Sequence, residues 1–267
     1  RDSPAGQLSD HEIVADYHDL DGVRRLASNV DVMTYEFQNI PVNTIRTAME
    51  LKPVRPGINA LSTAQNRVRE KLFMQDNGFP VTPFHPVKSL DDLKEGIRIL
   101  GLPAVLKTAS WGYDGKGQLK IESADDLPAV WNRMNSSESI LESWVTFERE
   151  LSVVAARCLH GDFTSFGVIE NHHINHILDV SLAPAEVSPQ VRVRADEITR
   201  GIFEKLDVVG TMAVEYFLTD NGDLMVNEIA PRPHNSGHLT MGGCETDQFE
   251  QQLRAVCGLP LGSVRYH

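Results

Sequence analysis

The sequence predicts a mixed fold, α/β in its first part and α+β after it, and three observations carry that reading. Strand-like and helix-like pieces alternate through residues 12–57, a glycine-punctuated stretch at 112–117 separates two further strand-like runs, and the chain from about residue 148 is rich in strands that close on an Asn-Gly turn. A length of 267 residues allows two or three compact units around separate cores.

The elements follow in order. IVADY reads as a strand, LDGVRRLASN as an amphipathic helix, and the apolar VDVMTYEF as a second strand ending at Asn39-Ile40-Pro41, which is the rhythm of a parallel sheet. VNTIRTAMEL is a helix closing at Lys52-Pro53, and Pro53, Pro56 and Gly57 mark a boundary. In the next helix Ser62 or Thr63 can cap the free N–H groups of the first turn. Val68, Leu72 and Phe73 form its apolar stripe, and Asn77-Gly78 ends it. VTPFHPV and PAVLKTA are strands flanking the capped helix SLDDLKEGIRILG. GQLKIES is a strand, ADDLPAVWNRM a helix, and SILESWV a strand leaving this lobe. RELSVVAARC, FTSFGVIEN and INHILDVSLA are strands, ADEITRGIFEKL a helix, and TDQFEQQLRAVCG a final helix ending at Gly258. There is no internal repeat and no low-complexity tract.

Charge narrows the partners. Against 25 Lys and Arg stand 37 Asp and Glu, a net charge of −12, so neither nucleic acid nor an anionic membrane is expected as a partner. Any bound phosphate must then be held by local positive groups. Cys158, Cys244 and Cys257 are odd in number and lack CxxC spacing, which fits reduced thiols serving as small core residues in a cytoplasmic protein. No apolar run reaches membrane-spanning length, and no leader is legible. Both ends read as cut, in the polar RDSPAGQLSD and the connection-like GLPLGSVRYH.

The densest chemical signal lies between Thr211 and Ile229, where TMAVEYFLT and DLMVNEI flank Asn221-Gly222, a strong two-residue hairpin signal. Counting outward pairs Asp220 with Asp223, Phe217 with Val226 and Glu215 with Glu228, so two carboxylates share one face. Like charges so placed repel unless something positive lies between them. Oxygen-only ligands suit a hard cation, and Mg²⁺ is usually held by one or two carboxylates together with substrate phosphates. The plainer reading is a solvated acidic hairpin.

Two more segments carry candidates. In VLKTASWGYDGKGQLKI a strand ends at Lys107 and a loop with Gly112, Gly115 and Gly117 leads into another strand. Its backbone N–H groups can surround phosphate oxygens while Lys107 and Lys116 supply charge. No helix follows, so this is neither a dinucleotide fingerprint nor a Walker loop. An exposed glycine hairpin is the competing reading. Directly after Glu228, IAPRPHNSGH places Arg232, His234, Asn235 and Ser236 in a proline-stiffened stretch. There Arg232 could neutralise a transferring phosphoryl group and Asn235 or Ser236 could bind an anion. The alternative is a loop whose side chains satisfy their own backbone.

YEFQNIP, GYDGKGQ, ILESWV with FERELSVV, and GTMAVEYF followed by NEIAPRPHNSGH and FEQQLRAVCGLPLG together resemble the ATP-grasp family, in its branch of ATP-dependent purine-biosynthetic carboxylases. The resemblance implies an ATP-grasp fold divided at 1–57 (a partial, Rossmann-like N-terminal α/β domain), 58–147 (linker helix and small lobe with glycine-rich lid), 148–258 (large lobe with metal and catalytic residues) and 259–267 (a connection toward a β-rich C-terminal domain). It implies ATP contacts at Arg67, Lys107, Gly112, Gly115, Lys116, Gly117 and Gln118. Glu142, Ser143, Trp144 and Val145 would form the hinge beside adenine, and Glu150 would take the ribose hydroxyls. Glu215 and Glu228 would hold Mg²⁺, as two ions and with Mn²⁺ as an alternative. A ribonucleotide substrate would draw on Glu36, Tyr113, Lys116, His234 and Asn235, and Arg232, His234, Asn235 and Ser236 would serve catalysis.

The implied reaction joins bicarbonate to 5-aminoimidazole ribonucleotide at the expense of ATP, through carboxyphosphate, and a homodimer is left open. The chain departs from the family in starting after its first strand, glycine turn and helix, in stopping before its last domain, and in carrying Ala230 where the wider superfamily often has asparagine. Alternation would turn Asn227 to the opposite face from Glu228. Two alternatives stand beside this reading: a formate-dependent glycinamide ribonucleotide transformylase, whose PRPH tends to continue differently from Asn235-Ser236-Gly237, and a nucleotide-binding module without catalysis. His172, His173 and His176 flank an expected hairpin turn and are read as turn or exposed-strand residues rather than metal ligands.

Overall fold

A computed structural model describes residues 3–110, 117–135 and 137–267. The first of these stretches begins with three helices, α1 (Pro4–Leu8), α2 (Leu20–Ala27) and α3 (Val42–Met49). Asp19 caps α2 by accepting from the N–H groups of Asp21 and Gly22. The two strands expected here do not form. Residues 13–17 adopt no strand, and from VDVMTYEF only Met33 pairs, in a parallel bridge to Val54. A strand exists only where a neighbour takes up its N–H and C=O groups. Among the described residues the segment around Val54 alone does so, Met33 N–H donating to Pro53 O and Arg55 N–H to Met33 O, both at 2.9 Å. The apolar side chains instead fill a local core of Tyr35, Ile40, Ile45, Ala48, Val54 and Leu61.

The single helix expected next is two, α4 (Ile58–Ala64) and α5 (Arg67–Asp76). Asn66, rather than Ser62 or Thr63, is the cap, its side chain accepting from Arg69 N–H. Ser62 and Thr63 lie inside α4, where a helical backbone denies them the extended geometry of a cap.

A four-stranded antiparallel sheet follows, built from β1 (Phe84–Val87), β2 (Ala104–Thr108), β3 (Gln118–Ile121) and β4 (Ser139–Ser143) in the order β1-β4-β2-β3. Helices α6 (Leu90–Leu100), capped by Ser89, and α7 (Leu127–Met134) cover it over a core that includes Leu93, Leu106, Ile121 and Leu141. Gly117 opens β3 at φ +73°, and a Cβ there would lie 2.7 Å from Thr108 Oγ1, so both backbone and space require glycine.

The second sheet has five antiparallel strands, β5 (Arg149–Arg157), β6 (Phe163–Ile174), β7 (Ile177–Leu182), β8 (Gly210–Leu218) and β9 (Leu224–Ala230), in the order β7-β6-β5-β8-β9. Helix α8 (Pro189–Lys205) starts earlier than ADEITRGIFEKL suggests, because Ser188 caps it and Pro189 takes the first position. Its Ile198, Ile202 and Phe203 pack on Leu151, Val153, Val214, Tyr216, Val226 and Ile229. Helix α9 (Gln248–Val256) closes the fold. Residues 259–267 pack on this lobe through a Cys244–Tyr266 bridge and a 2.8 Å hydrogen bond from Tyr266 to Phe166 O. Cys158 and Cys244 are buried as expected, whereas Cys257 is exposed at the end of α9.

The β8–β9 hairpin reaches the expected carboxylate pair by an unexpected route. Its loop is five residues, 219–223, so Leu218 pairs with Leu224 and Phe217 with Met225, one step off the expected Phe217–Val226 register. A β-bulge then inserts Asn227 opposite the Glu215–Tyr216 step, and Glu215 pairs with Glu228 after all. Without the bulge Glu228 would share the face of Val226, which is buried against α8. The extra residue turns Glu228 to the other face and sends Ile229 into the core beside Val226. Asn227 is thus the bulged residue, not a member of a regular alternation.

Candidate active site

The face of the five-stranded sheet opposite α8 carries polar groups at alternate positions. On β5 these are Glu150 and Ser152, between the core residues Leu151 and Val153; Ser152 pairs with Glu215 on β8. Glu215 and Glu228 lie side by side, and each has a cationic or protonated neighbour. Arg67 Nη1 donates to Glu228 Oε2 at 2.8 Å, and His234 Nε2 lies 3.2 Å from Glu215 Oε1. Burial would raise the Glu228 carboxyl, but the Arg67 charge and hydrogen bond, helped by His234 and Lys107, hold it below its ordinary value.

His234 is aimed by a chain of hydrogen bonds. Ser181 Oγ donates to Asn171 Oδ1 at 2.9 Å, Asn171 Nδ2 to Ser152 Oγ at 2.9 Å, and Ser152 Oγ to Ser236 Oγ at 2.8 Å. Ser236 Oγ lies 2.9 Å from His234 Nδ1, and the Ser236 N–H points to the same nitrogen. Nδ1 therefore accepts, which places the ring proton on Nε2, facing Glu215. Gln248 clamps the His234 backbone, accepting from its N–H at 2.8 Å and donating to its C=O at 2.7 Å. Ser236 is fully buried in this chain, so it orients His234 and has no open face toward a substrate. Asn235 is exposed.

Between the two sheets a second cluster gathers around Glu142 on β4. Its carboxylate takes Lys107 Nζ at 2.9 Å and Lys71 Nζ at 3.8 Å, and although burial pushes the other way, Lys71, Lys107 and Arg67 hold it down at about 2. The Glu142 side chain faces inward, so at the hinge it can offer a base only its backbone. The N–H groups of Ser143 and Trp144 are engaged by Pro83 O and Pro103 O at 2.9 and 3.1 Å, and the chain turns out toward Val145 from there. On α5, Glu70 and Lys71 are almost wholly buried. Burial and the Glu228 charge push Glu70 up to about 8 against Lys71, Arg67 and the Ile229 N–H, while burial lowers Lys71.

The structure brings Arg67, Lys107, Glu142, Glu215, Glu228 and His234 into one connected region. Gln118 pairs with Lys107 across β2–β3, and Gly117 O accepts from Thr108 N–H at 2.8 Å, so the glycine loop springs from the strand that carries Lys107. Gly112, Tyr113, Gly115 and Lys116 lie outside the described residues. Glu36 sits in the exposed loop before Ile40, close enough to Arg232 for that charge to oppose the rise that burial gives its carboxyl. Arg232 itself donates to Pro233 O at 2.8 Å.

His173, read from sequence as a turn or exposed-strand residue, belongs to the strand and is half-buried. The turn does fall at Asn175-His176, both at positive φ, but His173 lies two residues from Asn171 and shares its face. Its Nδ1 is 2.8 Å from Glu150 Oε2, and that close ion pairing, against burial, raises its pKa, with Glu215 and Glu228 adding to the effect. Alternation along β6 was the signal that could have found it. Glu70 and Lys71 were also missed, as charged residues in a helix normally read as solvated.

Among the described residues no group of three or more His, Cys, Asp and Glu is arranged to hold a metal by itself. Two carboxylates on one face fit a hard divalent cation only if phosphate oxygens complete its shell, which suits Mg²⁺ carried with a nucleotide. Among the described residues no helix is long and apolar enough to cross a membrane.

A small antiparallel sheet with a glycine-rich β2–β3 connection in its sequence, set against a carboxylate-bearing sheet across a cationic junction, fits the plan of the ATP-grasp class. The family models agree: the ATP-grasp domain matches residues 72–249 and the ribonucleotide synthetase preATP-grasp domain residues 1–65. The chain is 45% identical over 264 residues to the N5-carboxyaminoimidazole ribonucleotide synthase of Bacillus subtilis (strain 168), spanning 99% of this chain and 70% of the relative. It superposes on the crystal structure of an ADP complex of an N5-carboxyaminoimidazole ribonucleotide synthetase with a TM-score of 0.95 at 42% identity, covering 100% of this chain and 71% of that one. The Aspergillus clavatus enzyme, solved with ADP and 5-aminoimidazole ribonucleotide, gives a TM-score of 0.90 at 28% identity over 98% of this chain and 70% of that one. The chain belongs to the ATP-grasp family and, within it, to the N5-carboxyaminoimidazole ribonucleotide synthases.

Proposed function

We propose that the chain carboxylates 5-aminoimidazole ribonucleotide to the N5-carboxyamino product in purine biosynthesis, consuming ATP and bicarbonate. Bicarbonate attacks the γ-phosphorus of ATP to give carboxyphosphate and ADP; the substrate amine then takes the carboxyl group and phosphate leaves. The observation that carries this reading is the Glu215–Glu228 pair, placed beside Arg67 and Lys107 on the family's own scaffold. Mg²⁺ bound there with the nucleotide supplies charge neutralisation at the phosphates.

The chain's own groups supply the rest. Lys107 and Arg67 carry fixed positive charge toward the triphosphate, with Lys116 and the glycines of the 112–117 loop as the cover that excludes water from a labile acyl phosphate. Ser143, Trp144 and Val145 offer the hinge to adenine, Glu150 with His173 takes the ribose, and Arg232, Asn235, Glu36 and Tyr113 face the ribonucleotide. His234 holds Glu215 in place through Nε2–H. Two Mg²⁺ ions, replaceable by Mn²⁺, a cytoplasmic setting and a homodimer go with this reading, and sedimentation velocity decides the last.

ADP release by purified protein with Mg-ATP tests the assignment. Turnover is expected with bicarbonate and 5-aminoimidazole ribonucleotide and not with formate and glycinamide ribonucleotide; the reverse result overturns it.

A further inference from the structure

One face of α5 reads the backbone of the β9 bulge. Arg67, Glu70 and Lys71 stand at i, i+3 and i+4, so they project from one side of the helix. Arg67 binds the Glu228 side chain at 2.8 Å, Lys71 Nζ donates to Val226 O at 3.2 Å, and Glu70 Oε1 accepts from Ile229 N–H at 2.6 Å. Val226 and Ile229 bracket the bulged pair Asn227 and Glu228.

β9 is the last strand of its sheet; its outward Val226 N–H is taken by Pro80 O at 2.9 Å in a parallel bridge from Val81, and beyond that bridge no further strand among the described residues meets its outward groups. In a regular strand the outward residues would be 226 and 228. The bulge moves the second outward N–H to Ile229, and that is the group Glu70 takes. Glu70 therefore fits the bulged strand and not a regular one, while Lys71 anchors Val226 O, the outward carbonyl just before the bulge. Both are nearly inaccessible, at 1% and 2% exposure, which is costly for charged side chains unless they are fully engaged.

We propose that Glu70 and Lys71 are positioning residues that lock the bulge and thereby present Glu228 to the nucleotide-borne Mg²⁺. This rests on the reading of Glu228 as a metal ligand. The two carboxylates can share an ion only while the extra residue keeps Glu228 off the core face, and the clamp from α5 opposes relaxation to the regular register.

Calorimetric titration with ADP, with and without Mg²⁺, tests this on wild type, Glu70→Met, Glu70→Gln and Glu228→Gln. Glu70→Met keeps the length but loses the acceptor, and it is expected to cut the Mg²⁺-dependent gain in ADP affinity by about tenfold or more, with metal-free ADP affinity kept. Glu70→Gln retains an acceptor oxygen and should restore most of that gain. Wild-type Mg²⁺ dependence in Glu70→Met, or equal loss in both Glu70 variants, sinks the proposal. If Glu228→Gln keeps the full gain, the metal reading itself fails; if it loses the gain while Glu70→Met does not, only the clamp fails. Should Glu70→Met not fold, amide exchange decides: the Ile229 N–H must be protected in wild type as strongly as the central strands, and fast local exchange there overturns the clamp.

Discussion

The two faces of the five-stranded sheet are made from the same strands yet do opposite work. Toward α8 stand Leu151, Val153, Val214, Tyr216 and Val226, closely packed on Ile198, Ile202 and Phe203. Toward the small sheet stand Glu150, Ser152, Asn171, His173, Glu215 and Glu228, each engaged by a hydrogen bond or ion pair. One residue of strand advance separates them. Farther along that second face Val154, Phe166, Ile169, Ala213 and Ala230 form a separate apolar core, so the polar cluster occupies only part of it, and β9 departs from its two-residue period at Asn227, which brings Glu228 out of the α8 core and into the cluster.

Substitutions on the two faces should separate cleanly. Phe203, fully buried and edge-on to Phe163 with ring centroids 5.3 Å apart, sits on the stability face. Phe203→Ala is expected to lower unfolding free energy by about 3–5 kcal/mol, read by denaturant unfolding, while the enzyme that remains folded keeps its KM for ATP. On the other face Glu228→Gln should reduce kcat/KM by about 10²–10³-fold with the native fold retained, read by circular dichroism. Near-wild-type turnover would show the division to be wrong.

A smaller effect should follow pH. Lys71, Lys107 and Arg67 hold the folded Glu142 carboxyl at about 2 against an ordinary 4.5. A depressed carboxylate contributes stability that is present above its unfolded pKa and lost as pH falls through the folded one, so the loss runs from about pH 4.5 to about pH 2. Its size is about 3 kcal/mol. The fall in unfolding free energy over that window should be steeper in wild type than in Glu142→Gln; equal slopes would place the titration elsewhere. Smallest is Tyr216→Phe on the packed face. It removes hydroxyl contacts to Thr199 at 2.7 Å and Ala195 O at 3.2 Å and should cost about 1 kcal/mol without altering the Mg²⁺ dependence of turnover.

Legibility varied with how local each feature is. The caps at Ser89 and Asp19, the helices behind them and the Glu215–Glu228 pair are written in spacings of a few residues. The pairing was reached although two local details differed, because a longer loop and an inserted residue offset each other. Glu142 read as a group beside the base, but its buried partners Lys71 and Lys107 turn the carboxylate inward. His173 reads as a turn or exposed-strand residue, and β6 extends past it to Ile174, but its pairing with Glu150 on β5 is a contact between strands that the sequence does not spell out.

By itself the sequence determined most strands and helices of the two sheets and that two carboxylates would meet, since periodicity and turn chemistry act over short stretches of chain. Tertiary structure alone decided that VDVMTYEF would not become a strand, that α5 would bury Glu70 and Lys71 against β9, and that a bulge would turn Glu228 outward. Those outcomes depend on which backbone groups and charges the fold brings in from outside each segment, for Glu70 and Lys71 from 159 and 155 positions away, and no local pattern encodes them.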